Sequence, residues 1–439
     1  MSNRVNLKSV YGVNHDSGDA KVGKKQIKIA MLSIHSDPIG KLGTNDTGGM
    51  SVYIRELSRE LGKRGHRVDI YTRLQEGRDR PVIDLSKKVR LIHLGIPNNG
   101  NLSRLAFYPY LPDFLKSMEN FRSHEGIEYD LIHSHYWLSG RLGNLAQKLW
   151  DCPHFVMLHT LGEVKNRTGV GLPEPDLRIA AEKELVKTCH RILAPTDREK
   201  DNLVRYYGIS REKIGVVPCG VNLDLFYPQE KKATRRQLGF DQRDIILLYV
   251  GRFEPLKGID RLLEAMIHLR DHRRLRLIIV GGDGDESPES QFLRQKTVNL
   301  GIEDKVIFAG RIEQKHLPLY YSSADVLVMA SHYESFGLVA LEALACGRPV
   351  VSTPVGAMES LIKQSQAGRV VSDSLPQSLA AGIQSIITNS TPPADEIHKS
   401  VQAYSWSNVA AAILEEYETA IRQCSFDDDR LVSARACCG

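Results

Sequence analysis

Several things are scarce in this 439-residue chain, and each scarcity removes a class of function. Its seven cysteines (Cys152, Cys189, Cys219, Cys346, Cys424, Cys437 and Cys438) form no C-x-x-C pair and no metal-ligand spacing. Most read as small core residues of a protein kept in a reducing, cytoplasmic compartment, and the vicinal pair Cys437-Cys438 as an exposed terminus without a role. No apolar run approaches membrane-spanning length, and the polar start 1–25 lacks a signal-peptide core. A net charge of +5 is too mild to imply nucleic acid, though it fits phosphorylated small substrates. Hydrophobic content of 42% and charged content of 25% are ordinary for a globular protein.

Length and pattern predict an α/β protein of two units. In the first, β-branched runs at 27–34, 68–72, 131–135, 155–159 and 192–195 read as buried parallel strands, with helical segments at 51–63, 138–149 and 176–187. A hinge is expected near 218–228. Beyond it a helix-prone segment, 229–238, precedes strand-like runs at 245–250, 275–280, 305–308, 325–330 and 349–352. We place tails at 1–26 and 425–439, the first unit at 27–218, the second at 219–405 and a terminal helix at 406–424.

The richest stretch is His332-Tyr333-Glu334-Ser335-Phe336-Gly337-Leu338-Val339-Ala340-Leu341-Glu342-Ala343. Gly337 lets the backbone approach a ligand, and the free N–H groups of a helix start favour an anion such as pyrophosphate. Glu334 and Glu342 are then left to hydrogen-bond hydroxyls, an arrangement suited to a nucleotide-activated sugar. The plainer alternative makes Glu334 a cap and Glu342 a solvated helical position. Upstream, Gly251-Arg252-Phe253-Glu254-Pro255-Leu256-Lys257-Gly258 puts two cations on a turn after the run 245–250, at the sheet edge where ligands bind. Arg252 offers a bidentate fork to phosphate and Lys257 a point charge. By contrast, Gly281-Gly282-Asp283-Gly284-Asp285 is too degenerate for a dinucleotide fingerprint and reads as a turn.

These motifs, with the early loop Asp46-Thr47-Gly48-Gly49-Met50, resemble the retaining glycosyltransferases of family 4, in the same order and over about 27–417. The resemblance implies a GT-B fold: two facing Rossmann-like domains, an interdomain cleft, and a C-terminal helix crossing back to the first. It implies a donor site of Gly48 and Gly49 from an acceptor-binding first domain and Arg252, Lys257, Glu334, Phe336, Gly337, Leu338 and Glu342 from a nucleotide-sugar-binding second domain. No metal or other cofactor is then expected, because cations and helix dipoles hold the pyrophosphate.

The segments 131–140 and 158–166 end two strands in polar residues, and of their histidines we choose His159 as a catalytic candidate beside Glu334, Arg252 and Lys257. Both segments resemble the branch of the family that makes inositol-phosphate glycosides in mycothiol synthesis and, less closely, sucrose-phosphate synthases. By that resemblance the acceptor's phosphate is held by Arg104, Tyr136, Thr160 and Arg178, with Arg104 standing where the branch has lysine. The acidic pair that usually follows that lysine is absent.

The activity implied is transfer of a sugar, with retention, from a uridine diphosphate donor such as UDP-GlcNAc or UDP-glucose. Its acceptor would be a small phosphorylated hydroxyl compound such as inositol phosphate or a hexose phosphate. A lipid-linked or polysaccharide acceptor, a sugar-nucleotide epimerase and a non-catalytic nucleotide-sugar-binding protein remain as alternatives. The sequence leaves open whether the chain forms a homodimer.

Overall fold

The computed structural model describes residues 26–40, 43, 47–74, 81–96, 102–282, 284 and 287–436. Asp46, Asp283, Asp285, Cys437 and Cys438 lie outside the described residues.

Two twisted sheets organise the chain. The first contains β1 (Lys28–Leu32), β2 (Arg67–Arg73), β3 (Val82–Ser86), β4 (Val89–Leu94), β5 (Leu131–His135), β6 (His154–Met157), β7 (Arg191–Ala194) and β8 (Ile214–Val216). Their order is β3-β4-β2-β1-β5-β6-β7-β8, parallel throughout except for β3, which runs antiparallel to β4 at one edge. The second sheet contains β9 (Ile245–Val250), β10 (Leu275–Val280), β11 (Val306–Gly310), β12 (Val326–Met329), β13 (Val350–Ser352) and β14 (Gly368–Val370). It is fully parallel, ordered β11-β10-β9-β12-β13-β14.

Parallel strands lie between helices on both faces, so they bury both sides and read as unbroken apolar runs. In β9 the four central residues Ile246, Leu247, Leu248 and Tyr249 are all buried. Strand order reverses at β1 and β5 in one sheet and at β9 and β12 in the other. Outside the carboxyl ends of strands, such reversals leave crevices for ligands.

The last helix, Trp406–Ala436, returns to the first sheet. Trp406 packs edge-on against Tyr53 with ring centroids 5.3 Å apart, and Tyr417 against Phe155 at 4.8 Å. Arg191 Nε donates to Glu416 Oε2 at 2.7 Å. This helix also corrects a sequence expectation, because the stretch read as a tail from 425 is helical as far as Ala436. No glycine or proline occurs between Trp406 and Ala436.

Smaller corrections follow local chemistry. The helix expected from 51 begins at Gly49. The helix expected from 138 begins at Tyr136, directly after β5. Arg104 opens a helical turn, Arg104–Phe107, capped by the Ser103 hydroxyl on the Ala106 N–H at 3.3 Å. Four cysteines, Cys152, Cys189, Cys219 and Cys346, are free and buried. Among the described residues no helix is long and apolar enough to cross a membrane.

Candidate active site

A cavity of about 380 Å³ lies between the two sheets. All fourteen candidates named from the sequence line it: Gly48, Gly49, Arg104, Tyr136, His159, Thr160 and Arg178 from the first half, and Arg252, Lys257, Glu334, Phe336, Gly337, Leu338 and Glu342 from the second.

On the second sheet's side the turn after β9 is held at its backbone by neighbouring groups. The Tyr249 hydroxyl donates to the Arg252 carbonyl oxygen at 3.0 Å. Gly281, with φ 140°, approaches so closely that a Cβ there would lie 1.8 Å from the Gly251 carbonyl oxygen. At Gly281 the absence of a side chain therefore serves close backbone-to-backbone packing. Arg252 pairs with Glu254 at 2.7 Å. Lys257 Nζ donates to Glu334 Oε1 at 2.7 Å, and the Ser331 hydroxyl donates to the same oxygen at 2.9 Å.

Gly337, at φ 104°, precedes the helix Leu338–Ala345, and a Cβ there would meet Met358 Cε at 2.7 Å. Across the cleft, a Cβ on Gly49 would come within 3.1 Å of Leu338 Cδ1. Glu342 is not a solvated helix position. It is buried and accepts from the Tyr321 hydroxyl at 2.7 Å. Burial raises its pKa to about 7 against the opposing hydrogen bonds of Tyr321 and Gln314.

On the first sheet's side, two arginines converge on one hydroxyl. Tyr136 accepts from Arg178 Nη1 at 3.0 Å and from Arg104 Nη1 at 3.3 Å. Arg178 is 1% exposed. Its Nε donates to Glu182 Oε1 at 2.7 Å, its Nη2 to the carbonyl and hydroxyl oxygens of Thr160 at 3.0 Å, and its Nη1 also lies 2.9 Å from Glu174 Oε2. A solvated surface cation is therefore excluded at this position. Glu182, Glu174 and Lys165, which pairs with Glu174, were missed from the sequence. The i, i±4 spacing of Glu174, Arg178 and Glu182 was the available signal.

His159 sits at φ 61°, a strained conformation for a side-chain-bearing residue, with Nε2 2.9 Å from Nδ1 of His135. Burial lowers its pKa to about 3, which keeps the ring neutral.

Comparison with known proteins settles the family. Residues 47–225 match the family described as Glycosyltransferase Family 4, and residues 230–403 match Glycosyl transferases group 1. A D-inositol 3-phosphate glycosyltransferase 2 of Catenulispora acidiphila is 38% identical over 407 residues, covering 90% of this chain and 95% of that protein. This chain is a family 4 glycosyltransferase. A D-inositol 3-phosphate glycosyltransferase of Geodermatophilus obscurus is 37% identical, covering 92% of each chain. Sucrose-phosphate synthase from Thermosynechococcus elongatus superposes with a TM-score of 0.83 at 30% identity, covering 91% of this chain and all of its own.

Beside the cavity, the halves of this glycosyltransferase are joined through Tyr333, next to Glu334. Its hydroxyl accepts from the Leu161 N–H at 3.0 Å and donates to Glu199 Oε1 at 3.0 Å. Burial raises the Glu199 pKa to about 7 from its ordinary 4.5, against hydrogen bonds from Tyr333 and Asn202 and with help from Glu182. Between those two values the folded state binds more protons than the unfolded state, so stability is greatest below pH 4.5 for this group and falls as pH rises through 7. Thermal denaturation of Glu199→Gln between pH 5 and pH 8 should show a flatter pH dependence than the unaltered protein. Identical slopes would remove Glu199 from the balance.

Proposed function

We propose that this glycosyltransferase moves a sugar from a uridine diphosphate donor such as UDP-GlcNAc or UDP-glucose, with retention, to a hydroxyl of a small phosphorylated acceptor. Inositol phosphate and hexose phosphates are the acceptor class, in keeping with the relatives' names. The observation that carries this reading is the pairing, within one cavity, of Arg252 and Lys257 on one wall with Arg104 and Arg178 on the other. Two separate cationic groups suit two phosphorylated substrates.

As the bond from the anomeric carbon to the diphosphate breaks, its electron pair leaves with the phosphate. Arg252, Lys257 and the helix start at Gly337 stabilise the charge that develops there. Glu334, oriented by Lys257 and Ser331, faces the donor sugar's hydroxyls, and Glu342 faces those of the ribose. The acceptor oxygen bonds to the same face of the anomeric carbon, and its proton passes to the departing phosphate. Engagement of Glu334 by a lysine and a hydroxyl suits orientation better than nucleophilic attack.

The test is a nuclear magnetic resonance screen of uridine and guanosine sugar donors against inositol phosphate, hexose phosphates and their unphosphorylated forms. The anomeric coupling of the product reads the stereochemistry. Equal use of phosphorylated and unphosphorylated acceptors would sink the acceptor assignment.

Arg104 gives the cleaner mutational test, because its loss does not open the buried network around Arg178. A charge-assisted hydrogen bond contributes about 1.5–3 kcal/mol, so Arg104→Ala should raise the KM for a phosphorylated acceptor roughly ten- to a hundredfold. The KM for the donor should hold. An unchanged acceptor KM would leave Arg104 as a surface cation.

A further inference from the structure

Behind His159 lies a row of buried rings that the proposed chemistry does not use. His135, at the end of β5, is fully buried, and its Nδ1 is 2.9 Å from His159 Nε2. The His133 ring lies 4.3 Å from that of His135, and its own Nδ1 is 2.6 Å from the Tyr417 hydroxyl on the last helix. Three further polar atoms in this cluster are buried without a hydrogen-bond partner among the described residues: Nε2 of His133, Nε2 of His135 and the hydroxyl of Tyr53. The Tyr53 ring is 5.7 Å from that of His135 and 5.3 Å from that of His159.

From this arrangement we propose that His135 is a positioning residue that donates its Nδ1–H to His159 Nε2, fixing His159 in the tautomer with its proton on Nδ1. His159 then presents a hydrogen-bond donor to the cavity, with no basic lone pair.

The choice follows from which defect each arrangement leaves behind. All three imidazoles are neutral, since a cationic ring here would bury an unpaired charge, and burial lowers each of their pKa values. A bond between two neutral rings has one donor and one acceptor. Were His159 the donor, His135 would carry its proton on Nε2, where the described residues provide no acceptor. Were His135 the donor, its Nε2 would be a lone pair. Orphaned buried N–H groups are the rarer defect in folded proteins.

The consequence rests on the transfer reaction proposed above. With Nε2 occupied by His135 and Nδ1 already protonated, His159 cannot take the acceptor's proton. Its role is to hold a substrate oxygen by hydrogen bonding, which leaves the departing phosphate to receive that proton.

The test is the tautomer itself, read on full-length protein labelled with ¹⁵N-histidine, through couplings between ring nitrogens and ring carbon-bound protons. The His159 signals are identified by their loss in His159→Gln. The unaltered protein should show Nδ1–H and a bare Nε2 at His159. His135→Phe should populate the Nε2–H form, whereas His135→Gln, which keeps an N–H donor, should retain Nδ1–H. An Nε2–H tautomer in the unaltered protein would overturn the proposal even if no variant folds, and so would an unchanged tautomer in His135→Phe. In turnover, His135→Phe should lower kcat/KM by up to about tenfold, the loss of one hydrogen bond to a substrate oxygen, and His135→Gln should recover part of it. A protein inactive with every sugar donor would defeat the proposed function while the spectrum still decided the tautomer.

Discussion

Arg252→Ala is expected to lower turnover by roughly a hundredfold or more, the loss typical of removing one preorganised donor from a site of developing negative charge. The guanidinium stands at the carboxyl end of β9, where the backbone of its turn is fixed by the Tyr249 hydroxyl and by Gly281 packed against Gly251. A donor fixed in this way needs little reorganisation as the diphosphate departs. Without substrate, Arg252 is paired with Glu254, so an incoming diphosphate exchanges one carboxylate for a stronger anionic partner. Nucleoside binding, which involves no such charge, should barely change. Steady-state kinetics alongside calorimetric titration with uridine would separate the two effects. Near-normal turnover in Arg252→Ala would remove the clamp from the mechanism.

Arg178→Ala is expected to destabilise the protein by about 3–5 kcal/mol, because it leaves a buried carboxylate without its cation. Glu182 is fully buried and also accepts from the Gly162 N–H at 3.0 Å and from the Tyr207 hydroxyl. Those donors would remain, but the opposite charge would be gone. Chemical denaturation should show the loss directly, and pairing Arg178→Met with Glu182→Leu should restore much of it, since an apolar replacement of both partners removes the unpaired charge. An unchanged denaturation midpoint for Arg178→Ala would show that the network contributes nothing. Any effect of Arg178→Ala on acceptor KM must be read against this stability loss.

What could be seen in the chain beforehand follows from how local each signal is. The central strands announced themselves because burial on both faces produces unbroken apolar runs, as in β9 and β10. The edge was harder. In β3 (Val82–Ser86) no residue is buried, so the apolar-run criterion passes over it. Helix Asp176–Thr188 was legible as a helix, expected at 176–187, but its inward face was not, because that face includes Arg178 and Glu182. Charged residues at inward positions satisfy each other across one turn, and a hydropathy reading places them in water.

The sequence by itself determined the features carried by a few consecutive residues: the parallel α/β character, the glycine turns, the Arg252–Lys257 cation pair and the Glu334–Glu342 spacing. These depend on short-range backbone geometry and side-chain chemistry, which neighbouring residues set. Only the tertiary structure decided that Arg104 and Arg178 meet on the Tyr136 hydroxyl with Thr160 bonded to Arg178, that Glu342 is buried with its pKa raised to about 7, and that His135 stands behind His159. Those facts depend on which strand ends lie side by side and on how much water the packing excludes. Both are set by contacts between residues tens to hundreds of positions apart, and a linear pattern carries no record of them.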